Sequence, residues 1–511
     1  MRRALALLAA LAVVGAAPAL AQPAAPGPTA GAPKKPGKKP AADTAAKQPR
    51  GKEPKPYVPP VLDPEPAPEA SKDAAVEARS SETGVFARPW YPSPRIGTLA
   101  SGTRLKVRGQ VASRPKERLC GKAIWYAVEP FGWVCRAHVK PTAAAPTTEP
   151  VFRMKPGERL PYRYGMVKKG TKANQFASVD DIDGNNVQRQ LTQHDTVAVT
   201  GTLEHNGTRY IRTADGYIVE AENVAMMGGG SEWHGVELKA DQKLPFAWVR
   251  TDKAKVLPEP NPKAKPVDKL ARRTRVEIVE EVGDAKARFW KLADGRFVAA
   301  GDLNVVRKIA PPEGVLTSPE KQWIDVDLGE QVLVLYEHTT PVYATVVSTG
   351  RSVKTPRGNY PIWARVLATT MKNQSYEDGS YHMARVPWVL FFQTHNAIHG
   401  CYWHGDYGAP RSHGCVNTSP IDVRHVFDWI RPKLPPGWFG MRPANLLESV
   451  TVHVRNSKLT PAWVQERPIG PPDKEVEKKK LDWAEKRRAE KAEAAAKAAA
   501  KPPGAAPAPA P

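Results

Sequence analysis

Short runs of alternating apolar and polar residues recur along most of the chain, with turn residues between them. One hairpin-like pattern, an aromatic-led run, a turn carrying glycine and a second short run, occurs three times: "IWYAVEPFGWVC" (124–135), "RYIRTADGYIVE" (209–220) and "RFWKLADGRFVA" (288–299). Each copy follows a longer alternating run, "TRLKVRGQV", "DTVAVTGTL" or "TRVEIVEEV". Alternation with period two, bounded by glycine turns, predicts β-hairpins. A hairpin repeated three times predicts three copies of one small β unit.

We place these units at residues 81–145 (module 1), 146–230 (module 2) and 240–310 (module 3). In length, strand rhythm and hairpin, the modules resemble bacterial SH3-type domains. That resemblance implies a small β-barrel and binding to cell-wall material.

The alternation changes character in residues 318–455. The stretch "QWIDVDLGEQVLVLYEHTTPVYATVVSTGRSVKTPRGNYPIWARV" contains several strand-like runs with turns at "DLGEQ", "EHTTP" and "TPRGNY", which predict an antiparallel sheet. "WVLFFQTHNAIHG" predicts a buried strand that ends at His399, and Ser419-Pro420 predicts the start of an amphipathic helix. The predicted fold class is therefore mainly β and multi-domain, with a short helix after Cys415.

Both ends of the chain differ from this middle part. Residues 1–21 combine two arginines, an apolar run and a small-residue site, which predict a cleaved secretory signal. Residues 22–80 are rich in Pro, Ala and Lys and predict a disordered linker, and residues 456–511 predict a charged Ala/Lys/Pro-rich tail. We therefore expect an exported protein of the periplasm or cell wall, without a transmembrane segment after signal cleavage.

Export changes the interpretation of charge and cysteines. The formal net charge of +23 favours anionic partners, and in an exported chain these are expected to be envelope polymers that contact the basic linker rather than nucleic acid.

The four cysteines form two pairs along the sequence. Cys120 and Cys135 flank the hairpin of module 1, at a separation that a disulfide between neighbouring strands could close, so we predict that they are bonded.

The second pair lies in "IHGCYWHGDYGAPRSHGCVN" (398–417), where histidines, cysteines and glycines are concentrated. Three interpretations apply. The residues offer zinc ligands, but they lack a paired C-x-x-C knuckle, and the run before them is strand-like. A Cys401–Cys415 disulfide is chemically possible. The third interpretation is a nucleophilic thiol: His399 could activate Cys415, while Gly400 and Gly414 let the backbone approach a substrate.

"IHG" followed by "SHGCVN" resembles the signature of the L,D-transpeptidase catalytic domain, the YkuD-like fold of bacterial cell-wall enzymes, over residues 318–455. The resemblance implies that Cys415 is the nucleophile and His399 its base. It also implies an oxyanion hole formed by the backbone amides of His413, Gly414 and Cys415, and a backbone carbonyl, for which Gly400 is the candidate, that orients the base. It implies no cofactor and no metal.

The neighbouring residues have both a structural and a functional interpretation. Ser412 and Asn417 match the motif, yet each could only fix the turn through side-chain to backbone bonds. Trp403 and His404 could line the substrate cleft or simply pack. Arg411 could bind a carboxylate of the substrate or be solvated. We expect His395 and the ring of His413 to be structural, and the second thiol, Cys401, leaves redox sensitivity open.

By the same resemblance, the substrates are peptidoglycan stem peptides. Cys415 would attack the diaminopimelate carbonyl of a tetrapeptide stem and release D-Ala, and the acyl group would pass to a stem-peptide amine, a protein amine or water. Residues 371–387 are a candidate lid. Two other classes stay open at this point: a non-catalytic wall-binding adaptor and a metal-dependent hydrolase.

Overall fold

The structure is a computed structural model. It describes residues 60–458 except 91, 116–119, 121–122, 285–286, 317, 352–353 and 373–380. The predicted signal, most of the predicted linker and nearly all of the predicted tail lie outside the described residues. Within the described part of the chain, no helix is long and apolar enough to cross a membrane.

Module 1 is built from short antiparallel strands. They are β1 (Ala75–Ala78), β2 (Gly84–Phe86), β3 (Arg95–Leu99), β4 (Arg104–Ala112), β5 (Ile124–Val128), β6 (Trp133–Cys135) and β7 (Val139–Thr142), with a 3-10 turn at Arg136–His138. Strand β1 lies inside the range predicted as linker, but it pairs with β4 and β7 and fully buries Val76. The linker boundary at residue 80 is therefore wrong, because the apolar side chains of β1 complete the core of module 1.

The hairpin of module 1 carries the disulfide. Cys120 and Cys135 are bonded in the structure, and both are buried beside Trp125 and Trp133. The bond joins Cys120, which precedes β5, to Cys135 at the end of β6, and so encloses the β5–β6 hairpin.

Modules 2 and 3 each form a separate sheet. Module 2 contains β8 (Arg163–Val167), β9 (Lys172–Phe176), α1 (Val179–Asp183), β10 (Arg189–Thr192), β11 (Thr196–His205), β12 (Thr208–Thr213), β13 (Ile218–Glu220) and β14 (Val224–Met226). After β15 (Val236–Glu237), module 3 contains β16 (Phe246–Val249), β17 (Ala254–Leu257), β18 (Asp268–Leu270), β19 (Arg275–Gly283), β20 (Arg288–Leu292), β21 (Phe297–Ala299), a 3-10 turn at Ala300–Asp302 and β22 (Leu303–Val306).

The repeated hairpin is present in all three modules. The predicted pairs correspond to β5–β6, β12–β13 and β20–β21, and each is preceded by the predicted long strand, β4, β11 or β19. The hairpins predicted from alternation are thus confirmed as secondary structure.

The C-terminal part contains the remaining elements. They are β23 (Gln322–Asp327), β24 (Val332–Glu337), β25 (Thr340–Val346), β26 (Gly358–Pro361), β27 (Ala364–Lys372), β28 (His382–Gln393), β29 (Asn396–Gly400), β30 (Val416–Thr418), α2 (Pro420–Trp429), β31 (Trp438–Met441), a 3-10 turn at Leu446–Glu448 and β32 (Thr451–Arg455). Helix α2 begins as predicted, with Pro420 at its first position and the Ser419 hydroxyl accepting from the amide of Asp422.

These strands form two sheets, and a shared apolar core connects them. In the described residues one sheet has the order β15-β25-β24-β23-β32-β26 and the other includes β30-β29-β28-β27-β31. Side chains of both sheets and of α2 pack together around Ile324, Leu390 and Val423. Two pairs, β23 with β32 and β29 with β30, are parallel. Within the stretch predicted as an antiparallel sheet, β23–β24 and β24–β25 are antiparallel. Both parallel pairs involve strands outside that stretch, which a long connection brings back in the same direction.

The second sheet continues into module 1. Strand β31 pairs with β3, so that among the described residues one sheet of twelve strands runs from β30 to β7. A Cβ on Gly97 would lie 2.1 Å from the ring of Trp438, so only glycine permits this approach. Module 1 is therefore hydrogen-bonded to the C-terminal part as one sheet.

Candidate active site

The candidate base lies in β29, and the candidate nucleophile directly precedes its parallel neighbour β30. His399 in β29 lies opposite Asn417 in β30, and Cys415 immediately precedes β30. Paired residues of parallel strands, and residues two apart on one strand, project to the same face of a sheet. This register directs the side chains of His399 and Cys415 to one face.

The strand predicted to end at His399 is in fact a hairpin. Strands β28 and β29 are antiparallel neighbours, and His395 lies in the turn between them. The Cys415 thiol contacts the backbone carbonyl of His395 at 3.8 Å. The backbone of His395 therefore lies beside the candidate nucleophile, and a structural role for its side chain stays a prediction.

His399 is held as a neutral base. It is buried, and its Nδ1 lies 3.3 Å from the carbonyl oxygen of Gly400. Because a carbonyl only accepts hydrogen bonds, Nδ1 is the protonated nitrogen and Nε2 carries the lone pair. Burial lowers the pKa of His399 to about 4, which keeps the ring uncharged near neutral pH.

The two thiols have different surroundings. Cys415 is half-buried, whereas Cys401 is fully buried, and neither is bonded to another cysteine. Burial also raises the pKa of Cys401 well above its ordinary value, so this thiol stays protonated. The alternative Cys401–Cys415 disulfide is not formed. In the described part of the chain, no group of three or more His, Cys, Asp or Glu side chains is arranged to hold a metal ion.

Ser412 shapes the turn that carries the nucleophile. Its hydroxyl donates to the carbonyl of Cys415 at 2.5 Å and accepts from the amide of Gly414 at 3.1 Å. Both contacts are side-chain to backbone bonds that fix the turn, which is the structural interpretation given to Ser412 from the sequence. Because the Gly414 amide already has an acceptor, the oxyanion hole expected from three amides would have to rely on the amides of His413 and Cys415.

Gly414 cannot be replaced by another residue without strain. Its φ of +148° lies outside the range of L-residues, and a Cβ there would be 2.4 Å from the side-chain oxygen of Asn396. The carbonyl of Gly414 accepts from the hydroxyl of Thr355 at 2.7 Å, and this hydroxyl accepts from the amide of Gly350 at 2.8 Å.

Sequence reasoning missed Thr355 and Asn396 as supports of this turn. Thr355 was noted only as part of the turn "TPRGNY", and Asn396 only as part of a strand. Nothing in their local sequence indicates a contact with Gly414, because the contact depends on how distant segments are brought together.

Trp403 and His404 lie beside the candidate base. The ring of Trp403 lies 5.7 Å from that of His399, and His404 Nε2 lies 2.9 Å from the side-chain amide of Asn417. An amide N–H donates, so His404 accepts through Nε2. Burial also lowers the pKa of His404 to about 4. Asn417 therefore fixes His404 in addition to pairing through its backbone.

The remaining predicted residues lie close by. The ring of His413 is stacked on Tyr381, with centroids 5.4 Å apart. Arg411 is not merely solvated, because its guanidinium pairs with Asp406 at 2.8 Å. Of the predicted lid, residues 371–387, the part 373–380 lies outside the described residues, while its two flanks belong to β27 and β28.

Comparisons with known proteins address this same segment. Residues 321–440 match the family model described as YkuD, the L,D-transpeptidase catalytic domain. No curated protein matched the chain.

Several solved structures are similar to part of the chain. The catalytic domain of an Enterococcus faecium L,D-transpeptidase is 24% identical over 26% of this chain and 97% of its own, with a TM-score of 0.21. An L,D-transpeptidase from Mycobacterium smegmatis is 16% identical over 35% of this chain and 99% of its own, with a TM-score of 0.22. A mutant E. faecium L,D-transpeptidase is 23% identical, with a TM-score of 0.21, over 26% of this chain but only half of its own length. At these TM-scores the solved structures carry no argument about this chain.

The family match and the position of the motif coincide. The matched residues include β29, the turn at Ser412–Cys415 and α2. This chain therefore carries an L,D-transpeptidase catalytic domain of the YkuD family.

Proposed function

We propose that the protein is an exported peptidoglycan L,D-transpeptidase that uses Cys415 as its nucleophile and His399 as its base. The observation that supports this most directly is the register of β29 and β30, which directs both side chains to one face, together with the Gly400 carbonyl that leaves Nε2 of His399 as the basic nitrogen. The substrates are peptidoglycan stem peptides.

The reaction takes place in two steps. His399 Nε2 accepts the thiol proton, and the sulfur of Cys415 bonds to the diaminopimelate carbonyl carbon of a tetrapeptide stem. The tetrahedral intermediate collapses as its C–N bond breaks, and His399 returns the proton to the amine of the departing D-Ala. Amides of the Ser412–Cys415 turn stabilise the oxyanion.

In the second step an acceptor amine attacks the thioester carbonyl, a C–N bond forms, the C–S bond breaks, and His399 passes the amine proton to the leaving sulfur of Cys415. The product is a 3→3 crosslink if the amine belongs to a second stem and an anchored protein if it belongs to a polypeptide. Water as acceptor would make the protein an L,D-carboxypeptidase. We favour transfer because the apolar ring of Trp403 lies 5.7 Å from that of the buried His399, which leaves less room for water beside the base.

Muropeptide analysis tests this proposal. Intact protein, Cys415→Ala and Cys401→Ala are each incubated with tetrapeptide-containing muropeptides, and the products are identified by mass spectrometry. We expect D-Ala release and crosslinked or hydrolysed products with wild type and Cys401→Ala, but not with Cys415→Ala. Full turnover by Cys415→Ala would disprove the proposal.

Inhibition separates the remaining classes. A thiol acyl-transferase loses activity on alkylation and keeps it with chelators, whereas a metal-dependent hydrolase does the opposite. A wall-binding adaptor would bind muropeptides without changing them.

We further propose that the modules are SH3-like and bind wall material, and that the basic linker contacts anionic envelope polymers. Their β-hairpins support the first statement, and the net charge of +23 supports the second. Sedimentation of the full chain with purified peptidoglycan sacculi, with and without added salt, measures both contributions.

A further inference from the structure

Residues 401–411, here called the connecting loop, make up most of the segment between His399 and Cys415. We propose that modules 2 and 3 are working parts of the active site, because Arg272 of module 3 and Tyr164 of module 2 hold the connecting loop and so fix His399 relative to Cys415. These two are positioning residues. The inference rests on the proposed function.

Module 3 holds the middle of the connecting loop. The guanidinium of Arg272 donates to Asp406 Oδ1 at 3.1 Å and to the carbonyl of Tyr407 at 3.0 Å. The neighbouring Arg273 donates to the same Tyr407 carbonyl at 2.7 Å. Guanidinium groups bind oxygen acceptors in a fixed geometry, so these bonds define where the loop lies.

Asp406 passes this restraint towards the nucleophile. Its second carboxylate oxygen pairs with Arg411 at 2.8 Å, and its carbonyl accepts from the hydroxyl of Ser348 at 3.0 Å. Ser348 in turn exchanges two backbone bonds with Asn417, two residues beyond Cys415. The amide of Arg411 donates to Thr349, as does that of Ser412. Movement of Asp406 is therefore transmitted to both sides of Cys415.

The backbone of Arg273 supports a specific role for this corner. Its φ is +73°, in the left-handed region where glycine is the usual residue. A non-glycine residue is strained in this region. The side chain offsets that strain through its bond to Tyr407 and through its position over the ring of Trp233, 4.7 Å from the centroid.

Module 2 holds the start of the connecting loop. Tyr164 is stacked on Tyr402, with ring centroids 3.7 Å apart, and both rings are buried. The Tyr402 hydroxyl bonds with the Thr196 hydroxyl at 2.7 Å and donates to the carbonyl of Ala384 at 2.8 Å. Tyr402 follows the Gly400 carbonyl closely in sequence and packs edge-on against Trp403. The surroundings of His399 are thus fixed from module 2.

The size of these effects separates positioning from stability. The side chains of Arg272 and Asp406 are 28% and 47% exposed, and an ion pair so exposed contributes little to the stability of the fold. Loss of this pair should therefore leave the unfolding temperature nearly unchanged. A shift of about 1 Å in a catalytic group, however, lowers the rate on the order of 100-fold.

A double-mutant cycle in the full chain tests the module 3 contact. Arg272→Gln, Asp406→Asn and the double variant are compared for D-Ala release and for the rate at which iodoacetamide alkylates Cys415 across pH. Arg296→Gln is the matched control, because Arg296 pairs with Asp268 and Asp294 inside module 3. We expect kcat to fall on the order of tenfold in both single variants, with KM within about twofold of wild type, and no further fall in the double variant.

The opposite results are equally clear. Wild-type kcat and alkylation profiles in Arg272→Gln and Asp406→Asn, or strictly additive losses, would overturn the inference. A fall in kcat for Arg296→Gln as large as that for Arg272→Gln would overturn it too. Asp406→Asn supplies the result if Arg272→Gln folds poorly, since an exposed carboxylate tolerates an isosteric amide. If Cys415→Ala keeps full activity, the proposed function fails instead, and the alkylation rates of the other variants still report on positioning.

Discussion

His399 illustrates how the site is tuned at the level of a single residue. An exposed histidine is half-protonated near pH 6.5, but burial lowers the pKa of His399 to about 4. The Gly400 carbonyl selects the tautomer by accepting from Nδ1. The imidazole of His399 is therefore uncharged at pH values well above 4.

This lowered pKa predicts the acidic side of the pH–rate profile. Activity requires His399 unprotonated, so the acidic limb of kcat/KM should lie well below pH 6.5 and approach the pKa of about 4. Steady-state D-Ala release measured from pH 4 to 8 checks this. A midpoint at 6.5 would show that the base is solvated, or that another histidine has the role.

Gly414→Ala is a second prediction at this scale. The new Cβ would lie 2.4 Å from Asn396, and φ would remain at +148°, so the turn must move and turnover should fall on the order of 100-fold. Gly295→Ala is the matched control, because that residue also has a positive φ, +85°, but nothing within 4 Å of the new atom. Equal turnover in both variants would contradict the role given to the turn.

The sequence indicated the chemistry of the site better than its supports. Cys415, His399 and Gly400 could be named because the motif is contiguous in two short pieces. Thr355 and Asn396 could not, since their contacts with Gly414 join segments far apart in sequence. Arg411 pairs with Asp406, and the side chain of Asn417 bonds to His404. Neither pair could be predicted without knowing the conformation of residues 401–411.

At the level of elements, module 2 is predicted to influence catalysis through one ring. Tyr164→Ala removes the ring stacked on Tyr402, whereas Tyr164→Phe keeps the ring and loses only the hydroxyl bond to the Arg385 carbonyl. We expect a larger loss of kcat for the alanine variant, by at least about tenfold relative to phenylalanine.

Tyr210→Ala is the control for that prediction. Tyr210 is buried within module 2 and packs against Phe176 and Ile218 of the same module, so its loss should lower the unfolding temperature with little effect on kcat. Equal kcat for all three variants, in samples shown to be folded by circular dichroism, would contradict a link from module 2 to the site.

Local pattern and long-range pairing differ in how well they could be predicted. Alternation predicted the hairpins β5–β6, β12–β13 and β20–β21, because the two strands of a hairpin and its turn are neighbours in the sequence. The parallel pairs β23–β32 and β29–β30 could not be read in this way. The two strands of each parallel pair are separated by a long segment of the chain. Period-two alternation is also the same whether a strand pairs in parallel or antiparallel.

At the level of the whole molecule, buried histidines make stability depend on pH. Burial lowers the pKa of His399, His404 and His453 to about 4. Between about pH 4 and 6.5 the unfolded chain binds protons that the folded chain does not, so stability falls as the pH is lowered through this window.

His453→Gln should weaken that dependence. His453 lies in β32, outside the site, and its Nδ1 is 2.7 Å from the side-chain oxygen of Asn359. From pH 7 to pH 5 we expect wild type to lose on the order of 2 kcal/mol more than the variant, measured by urea unfolding. The exposed His138 provides the control, since His138→Gln should follow wild type. Parallel pH profiles for wild type and His453→Gln would contradict the assignment.

The pairing of β3 with β31 has a consequence for how the polypeptide matures. Thr103 bonds to the Gly437 carbonyl, 334 positions later in the sequence, beside the place where the two strands meet. Module 1 emerges first during synthesis, so its β3 edge stays open until almost the entire polypeptide has followed. An uncovered strand edge attracts other chains. The β3 edge must therefore be kept from pairing with other chains until β31 has been synthesised and can cover it.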